Sequence, residues 1–154
     1  MADRTFVPAD FDVPLELVTP RFRLEPLGPE HNDPDYAAWT SSIDHIRETP
    51  GFRGSSWPPA DGMSLEANLG DLQRHADDFG RRRGFTYTVV ETDGDVIGCV
   101  YIYPSRKDPE VTDVRSWVRA DRAELDVELY DAVSEWLAAR WPFTNVDYAL
   151  RSRT

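Results

Sequence analysis

The sequence predicts a mixed α/β domain, and three stretches carry that reading. FTYTVVETDGDVIGCVYIYP (85–104) alternates Phe85, Tyr87 and Val89 with threonines, turns at TDGD and returns as an apolar run, the pattern of a β-hairpin. PEVTDVRSWV (109–118) reads as a neighbouring third strand. From about 122 to 140, Leu125, Leu129, Ala132, Val133, Trp136 and Leu137 recur at helical spacing and form one apolar stripe, with Glu124, Glu128, Asp131 and Glu135 opposite.

The remaining elements follow in order. Residues 1–14 hold Pro8 and Pro14 among mixed polar residues and read as an N-terminal arm, leaving 15–154 as a single domain. Phe22 and Leu24, beyond Pro20, place a first strand near 21–27. Asp33 with Pro34 behind it reads as a helix start, and Tyr36, Trp39, Ile43 and Ile46 then lie on one helical face. TPGFRGSSWPPADG (49–62) is a loop. Ser64 caps a second helix with Leu65, Leu69, Leu72, Ala76 and Phe79 as its stripe, and the arginines of GRRRG (80–84) suit the C-terminal end of that helix dipole. WPF stops the long helix, and NVDYALR (145–151) reads as a last short strand.

Composition narrows the function classes. A net charge of −11 argues against nucleic-acid binding, which draws on Lys and Arg, and suits either a cationic ligand or plain solubility. No run reaches the roughly 18 apolar residues of a membrane span, and the N-terminus lacks the pattern of a secretory signal. The single cysteine, Cys99, sits in an apolar strand and reads as an inert core thiol, so a reducing, cytoplasmic setting is expected. His31, His45 and His75 lack chelating spacing, and no metal site is expected. No G-x-S-x-G elbow is present to support a serine nucleophile.

The order strand, two helices, hairpin, strand, long helix, strand resembles the GNAT superfamily of acyl-CoA-dependent N-acyltransferases. The resemblance spans about 15–151 and rests on FRLEPL, on the hairpin 85–104 and on SWVRADRAEL entering the main helix. It implies an α/β fold with a mixed, mostly antiparallel sheet, splayed at its centre and flanked by helices. It also implies acetyl-CoA or another acyl-CoA as co-substrate, with its pantetheine arm on strand backbone and its pyrophosphate on a glycine-rich turn before the main helix. A small-molecule amine would be the acceptor.

The turn itself departs from the family pattern V-x-P-x-x-R/Q-G-x-G-x-G/A. Aligned on Val118, its proline position is Ala120, its Arg/Gln position is Ala123, and its small positions are Glu124, Asp126 and Glu128. Asp121 is a good N-cap residue and Glu124 lies at the reciprocal capping position, so the free amides at this turn are expected to be satisfied by the chain's own carboxylates. Family members continue past the fifth strand with a helix that often carries a tyrosine acid. This sequence stops at Thr154, and neither is expected.

Amine acylation requires a general base and a donor to the thioester oxyanion. Asp113, near where the resemblance places a catalytic glutamate, is one candidate base; its alternative is a place on a solvated strand edge. Glu91, at the end of a hairpin strand, is the other, with a polar strand terminus as its alternative. By resemblance, Ser116, Trp117 and Val118 would hold pantetheine through backbone, and Arg119 and Arg122 would replace the lost phosphate loop. Trp57, Trp117, Tyr101 and Tyr103 read either as core or as the lining of a groove, and Asp61 with Glu66 as a place for a cationic amine. Two functions stand side by side. One is an acyltransferase; the other is a catalytically inactive GNAT-fold binding or interaction module, with no cofactor, for which a homodimer would cover an open sheet edge.

Overall fold

The structure is a computed structural model, and residues 5–151 are described. Six strands form one sheet in chain order: β1 (Leu17–Val18), β2 (Phe22–Pro26), β3 (Phe85–Glu91), β4 (Val96–Pro104), β5 (Thr112–Val118) and β6 (Val146–Tyr148). All neighbours are antiparallel except β5 and β6, which run parallel. Four helices flank the sheet: α1 (Asn32–Thr40), α2 (Ile43–Glu48), α3 (Leu65–Gly80) and α4 (Asp126–Arg140).

The period-two pattern of the strands separates two cores. Val100 and Ile102 of β4 with Val114 and Val118 of β5 face α4, where Leu129, Val133, Trp136 and Leu137 cover them. Cys99 and Trp117 face the other way, against Ala38 and Trp39 of α1 and Leu72 of α3. An apolar run on β4 is what a central strand with both faces covered requires. Gly98 permits the close approach of β5, since a Cβ there would lie 2.3 Å from the Trp117 carbonyl oxygen. Residues 5–14 lie on the α4 side: Val7 is buried, Phe6 stacks on Phe85, and Arg82 donates to the carbonyls of Pro8 and Phe11.

Several local expectations change. The stripe Tyr36–Ile46 is not one helix but two, broken at Ser41–Ser42. Asp33 is not the cap of α1, which begins at Asn32 after a 3₁₀ turn at Pro29–His31. Ser64 does cap α3, accepting from the Ala67 amide at 3.0 Å. Leu65 stands exposed, and the buried face of α3 instead carries Asn68 and Leu72. Among the described residues, no helix is long and apolar enough to cross a membrane.

Two titratable groups sit deep on the α1/α3 side. Burial pushes the Asp35 carboxyl from 3.8 up to about 6, and the hydrogen bond from the Asn68 amide offsets part of that rise. Burial, helped by Arg74, lowers His75 from 6.5 to about 4. A carboxyl raised on folding stabilises the native state below its unfolded value, and that contribution disappears as pH rises through the folded value. Asp35→Asn, which keeps an acceptor for Asn68, should therefore stabilise the protein by about 2–3 kcal/mol near neutral pH and above. The gain should vanish below about pH 4, where both states hold the proton, as urea unfolding at several pH values would measure. A gain independent of pH would show that charge is not its cause.

Candidate functional site

The parallel ladder between β5 and β6 is short: Thr112 pairs with Val146, Asp113 with Asp147 and Val114 with Tyr148. Beyond Val114, β5 continues along β4 to Val118 while the chain after β6 turns away, so the sheet opens between Ser116 and residues 149–151. Strands that part leave backbone groups without ladder partners, and such groups require other ones.

Arg151 supplies them. Its side chain, 2% exposed, reaches into the opening. Nη2 donates to the Ser116 carbonyl at 2.8 Å and to Ser116 Oγ at 3.2 Å. Nη1 donates to the carbonyls of Ala149 (2.9 Å) and Pro50 (3.2 Å), and Nε donates to Asp126 Oδ2 at 2.7 Å. The five N–H groups of a guanidinium match these five bonds. Tyr130 and Tyr148 present their rings 5.7 and 5.6 Å from the guanidinium carbon. Tyr148 hydrogen bonds Ser116 Oγ through its hydroxyl, and burial raises its pKa.

Four segments converge on this cation. Asp126 is the first residue of α4, where a carboxylate also suits the helix dipole. Pro50 and Gly51 begin the long loop, and Gly51, at φ +99°, passes beneath Arg115 and Ala149. Asp126 also borders a cavity of about 240 Å³ that His45, Glu48, Thr49, Pro50 and Ala123 line with it. Asp126 Oδ1 is buried and has no hydrogen-bond partner among the described residues.

The turn before α4 is a 3₁₀ segment, Ala120–Leu125, rather than the first turns of the helix. Among the described residues, no carboxylate accepts from its amides. The Ala120 amide donates to Ser42 Oγ at 2.8 Å, the Arg122 amide to the Arg119 carbonyl, and the Asp126 amide to the Ala123 carbonyl. Asp121 makes no cap; its carboxylate turns back to Arg119, at 2.9 and 3.1 Å, and that pairing lowers its pKa. Glu128 meets Arg21 at 3.2 Å. Arginine pairing takes the place of capping here: Asp121 meets Arg119 through two parallel N–H···O bonds, where a cap would give it a single charge-assisted bond.

The residues singled out from the sequence fall into separate places. Ser116 lies at the centre of the opening, and its carbonyl and hydroxyl are both taken by Arg151. Val118 is core on the same face, while Trp117 is core on the other, its Nε1 donating to Tyr101. Asp113 shares the face of Trp117 and is ion-paired with Arg115 at 3.2 Å. Glu91 receives Arg122 Nε on both oxygens, at 2.9 and 3.0 Å, and this contact raises the pKa of Arg122. Glu91, Asp93 and Asp95 each bring one oxygen within 4.8 Å of the others, with the Arg122 guanidinium supplying positive charge beside them. Trp57 packs on Trp39, Tyr101 and Trp117 at 5.5–6.2 Å and so belongs to the aromatic layer over the sheet. Tyr103 bonds His75 and Asp78. Asp61 and Glu66 are exposed. The sequence reading passed over Arg151, which looked like the end of a strand.

Removing one partner of a buried ion pair leaves the other charge uncompensated, a loss of about 3–5 kcal/mol. Arg151→Ala and Asp126→Ala should each destabilise by amounts in that range, while the double variant should fall short of their sum by about 2 kcal/mol in a urea double-mutant cycle. Additive losses would mean that the two groups do not act together.

No protein-family model matches this chain, and no curated protein is similar to it in sequence. Solved structures are similar in shape. A ribosomal-protein-S5-alanine acetyltransferase from Vibrio fischeri superposes with a TM-score of 0.65 at 10% identity, over 89% of this chain and 73% of that one. An acetyltransferase from Salmonella typhimurium that modifies the N-terminal serine of ribosomal protein L7/L12 gives 0.66 at 10%, over 86% and 72%. RimL, the ribosomal L7/L12 α-N-protein acetyltransferase, in complex with coenzyme A, gives 0.64 at 12%, over 80% and 67%. At these identities the likeness concerns the fold. Together with the six-stranded sheet, mostly antiparallel and opened between β5 and β6, it shows that the chain has the fold of these acetyltransferases, the GNAT fold.

Proposed function

We propose that this chain is a GNAT-fold binding module that does not take acyl-CoA in the way its fold relatives do. The observation that carries this reading is Arg151: its guanidinium occupies the parting of β5 and β6 and uses the Ser116 carbonyl, a strand group that the pantetheine arm would need.

The turn before α4 supports the same reading. A pyrophosphate there would require free amides and uncommitted cations. Ala120, Arg122 and Asp126 already donate their amides to the protein. Arg119 and Arg122, the expected substitutes for the glycine loop, are committed to Asp121 and Glu91. An anion brought within 4 Å of a carboxylate meets a repulsion of about 1 kcal/mol in water and about 4 kcal/mol near a protein surface. The residues present do not fit the cofactor's pyrophosphate, and no acyl-transfer step is routed through them.

The fold itself favours a second reading, an amine acyltransferase in which Arg151 leaves, Ser116 to Val118 receive the pantetheine arm, and Asp113 acts as base. Asp113 would first have to give up Arg115. Calorimetric titration separates the two. Acetyl-CoA and free CoA should give no heat of binding with the natural chain up to about 1 mM, which bounds any interaction to weaker than about −4 kcal/mol. Arg151→Ala should not gain binding, because the carboxylates of the turn remain. Micromolar binding by either chain, followed by acetylation in an amine screen, would replace this reading with the transferase.

A further inference from the structure

The opening is more than blocked, because what fills it is held as a ligand is held. Each acceptor around Arg151 comes from a different part of the chain: Ser116 from β5, Asp126 from α4, Pro50 from the long loop. Two tyrosine rings, their centroids 4.6 Å apart, lie side by side against the cation. Five donors meet five bonds, one charged partner sits at 2.7 Å, and the side chain is 98% removed from solvent by its 2% exposure. A planar guanidinium satisfies such a set, whereas an ammonium, with three donors on a point charge, does not.

We infer that this pocket is a guanidinium-binding site, with Arg151 as its intramolecular occupant, and that an arginine side chain or another alkylguanidinium from outside enters it when Arg151 withdraws. The inference rests on the reading of the chain as a binding module and names its ligand class.

The segment that carries the occupant has a short ladder. β6 holds the sheet through three residue pairs, and Leu150, next to Arg151, is 81% exposed. Of the five bonds, the one to the Ala149 carbonyl belongs to the departing segment itself, and the other four acceptors stay with the body of the protein. The site also has capacity that Arg151 does not use. Nε and Asp126 Oδ2 form a single contact, while Oδ1 stays buried without a hydrogen-bond partner among the described residues. A guanidinium that takes the place of Arg151 can meet both oxygens with two parallel N–H groups, the stronger geometry for an arginine–carboxylate pair.

The test uses agmatine, a guanidinium on a butyl ammonium chain, against putrescine, which carries an ammonium at both ends. In the full chain bearing Arg151→Ala, agmatine should bind at least about tenfold more tightly than putrescine, and about tenfold more tightly than it binds the natural chain, where Arg151 competes at high effective concentration. Asp126→Asn on that background should remove the binding. If Arg151→Ala fails to fold, the natural chain itself provides a readout. Its Arg151 Nε–H resonance, protected by Asp126, should shift and begin to exchange as agmatine is added. An unmoved Nε–H resonance, with no agmatine binding by Arg151→Ala where that variant folds, would overturn the inference, as would equal binding of putrescine or retention after Asp126→Asn. Acetyl-CoA run in parallel keeps the readings apart. Agmatine binding together with acetyl-CoA binding removes the proposed function and leaves the guanidinium site. Failure of both ligands removes the site alone.

Discussion

The contact of the Arg151 guanidinium with the carbonyl of Ser116 and the carboxylate of Asp126 settles how the open end of the sheet is used. Any sheet whose neighbouring strands part halfway exposes carbonyls and amides in its interior, and a buried group left unmade costs about 1–3 kcal/mol. β5 and β6 part after Val114 and Tyr148. Arg151 then joins β5 to the chain after β6, to the first residue of α4 and to the loop at Pro50, all of which meet at one cation. With three paired residues, β6 has little ladder of its own, so its position leans on this side chain and on the Tyr148 hydroxyl at Ser116.

The same cation explains the acidic turn. Asp121, Glu124, Asp126 and Glu128 look, in sequence, like a defaced phosphate site. In space they are met by arginines: Arg119 at Asp121, Arg151 at Asp126, Arg21 at Glu128, with Arg122 drawn to Glu91 one strand away and lying within the field of Glu124. A chain carrying −11 overall thus gathers its cations where the start of α4 concentrates negative charge. Such pairing serves the local structure and removes those arginines from service as anion receptors, since a guanidinium already on a carboxylate offers a phosphate little net charge.

Much of this architecture was legible from periodicity. The alternation in 85–104 fixed the hairpin, the 3.6-residue stripe through Leu129, Val133 and Leu137 fixed α4, and the Ser64 cap marked the start of α3. Local chemistry misled where a distant partner was stronger. Asp121 has the identity and the spacing of an N-cap, yet Arg119 takes its carboxylate. Pro34 suits the first helical position, yet the helix begins two residues earlier because a 3₁₀ turn leads into it. The candidate site was less legible. Ser116 was named for its backbone and does lie in the opening, but Arg151 was invisible in that role. Its partners stand 25, 35 and 101 residues away, and neither spacing nor composition encodes contacts of that range.

A buried ion pair is weak evidence for stability, because hydrocarbon of the same volume often serves as well. That substitution is not open here. Leucine or methionine at position 151 would fill the space, but it would leave the Ser116 carbonyl and Asp126 facing an apolar surface, and the strand ends cannot rejoin to pair them. Lysine would restore a charge at Asp126 without spanning from α4 to β5 and the Pro50 carbonyl at once. The requirement is for a planar donor that reaches three elements, and arginine alone among the side chains meets it. The geometry of the parted strands therefore selects the chemistry of their occupant. Four of the five acceptors, on Ser116, Asp126 and Pro50, belong to the body of the protein, and they are the bonds on which the inferred recognition of an outside guanidinium rests.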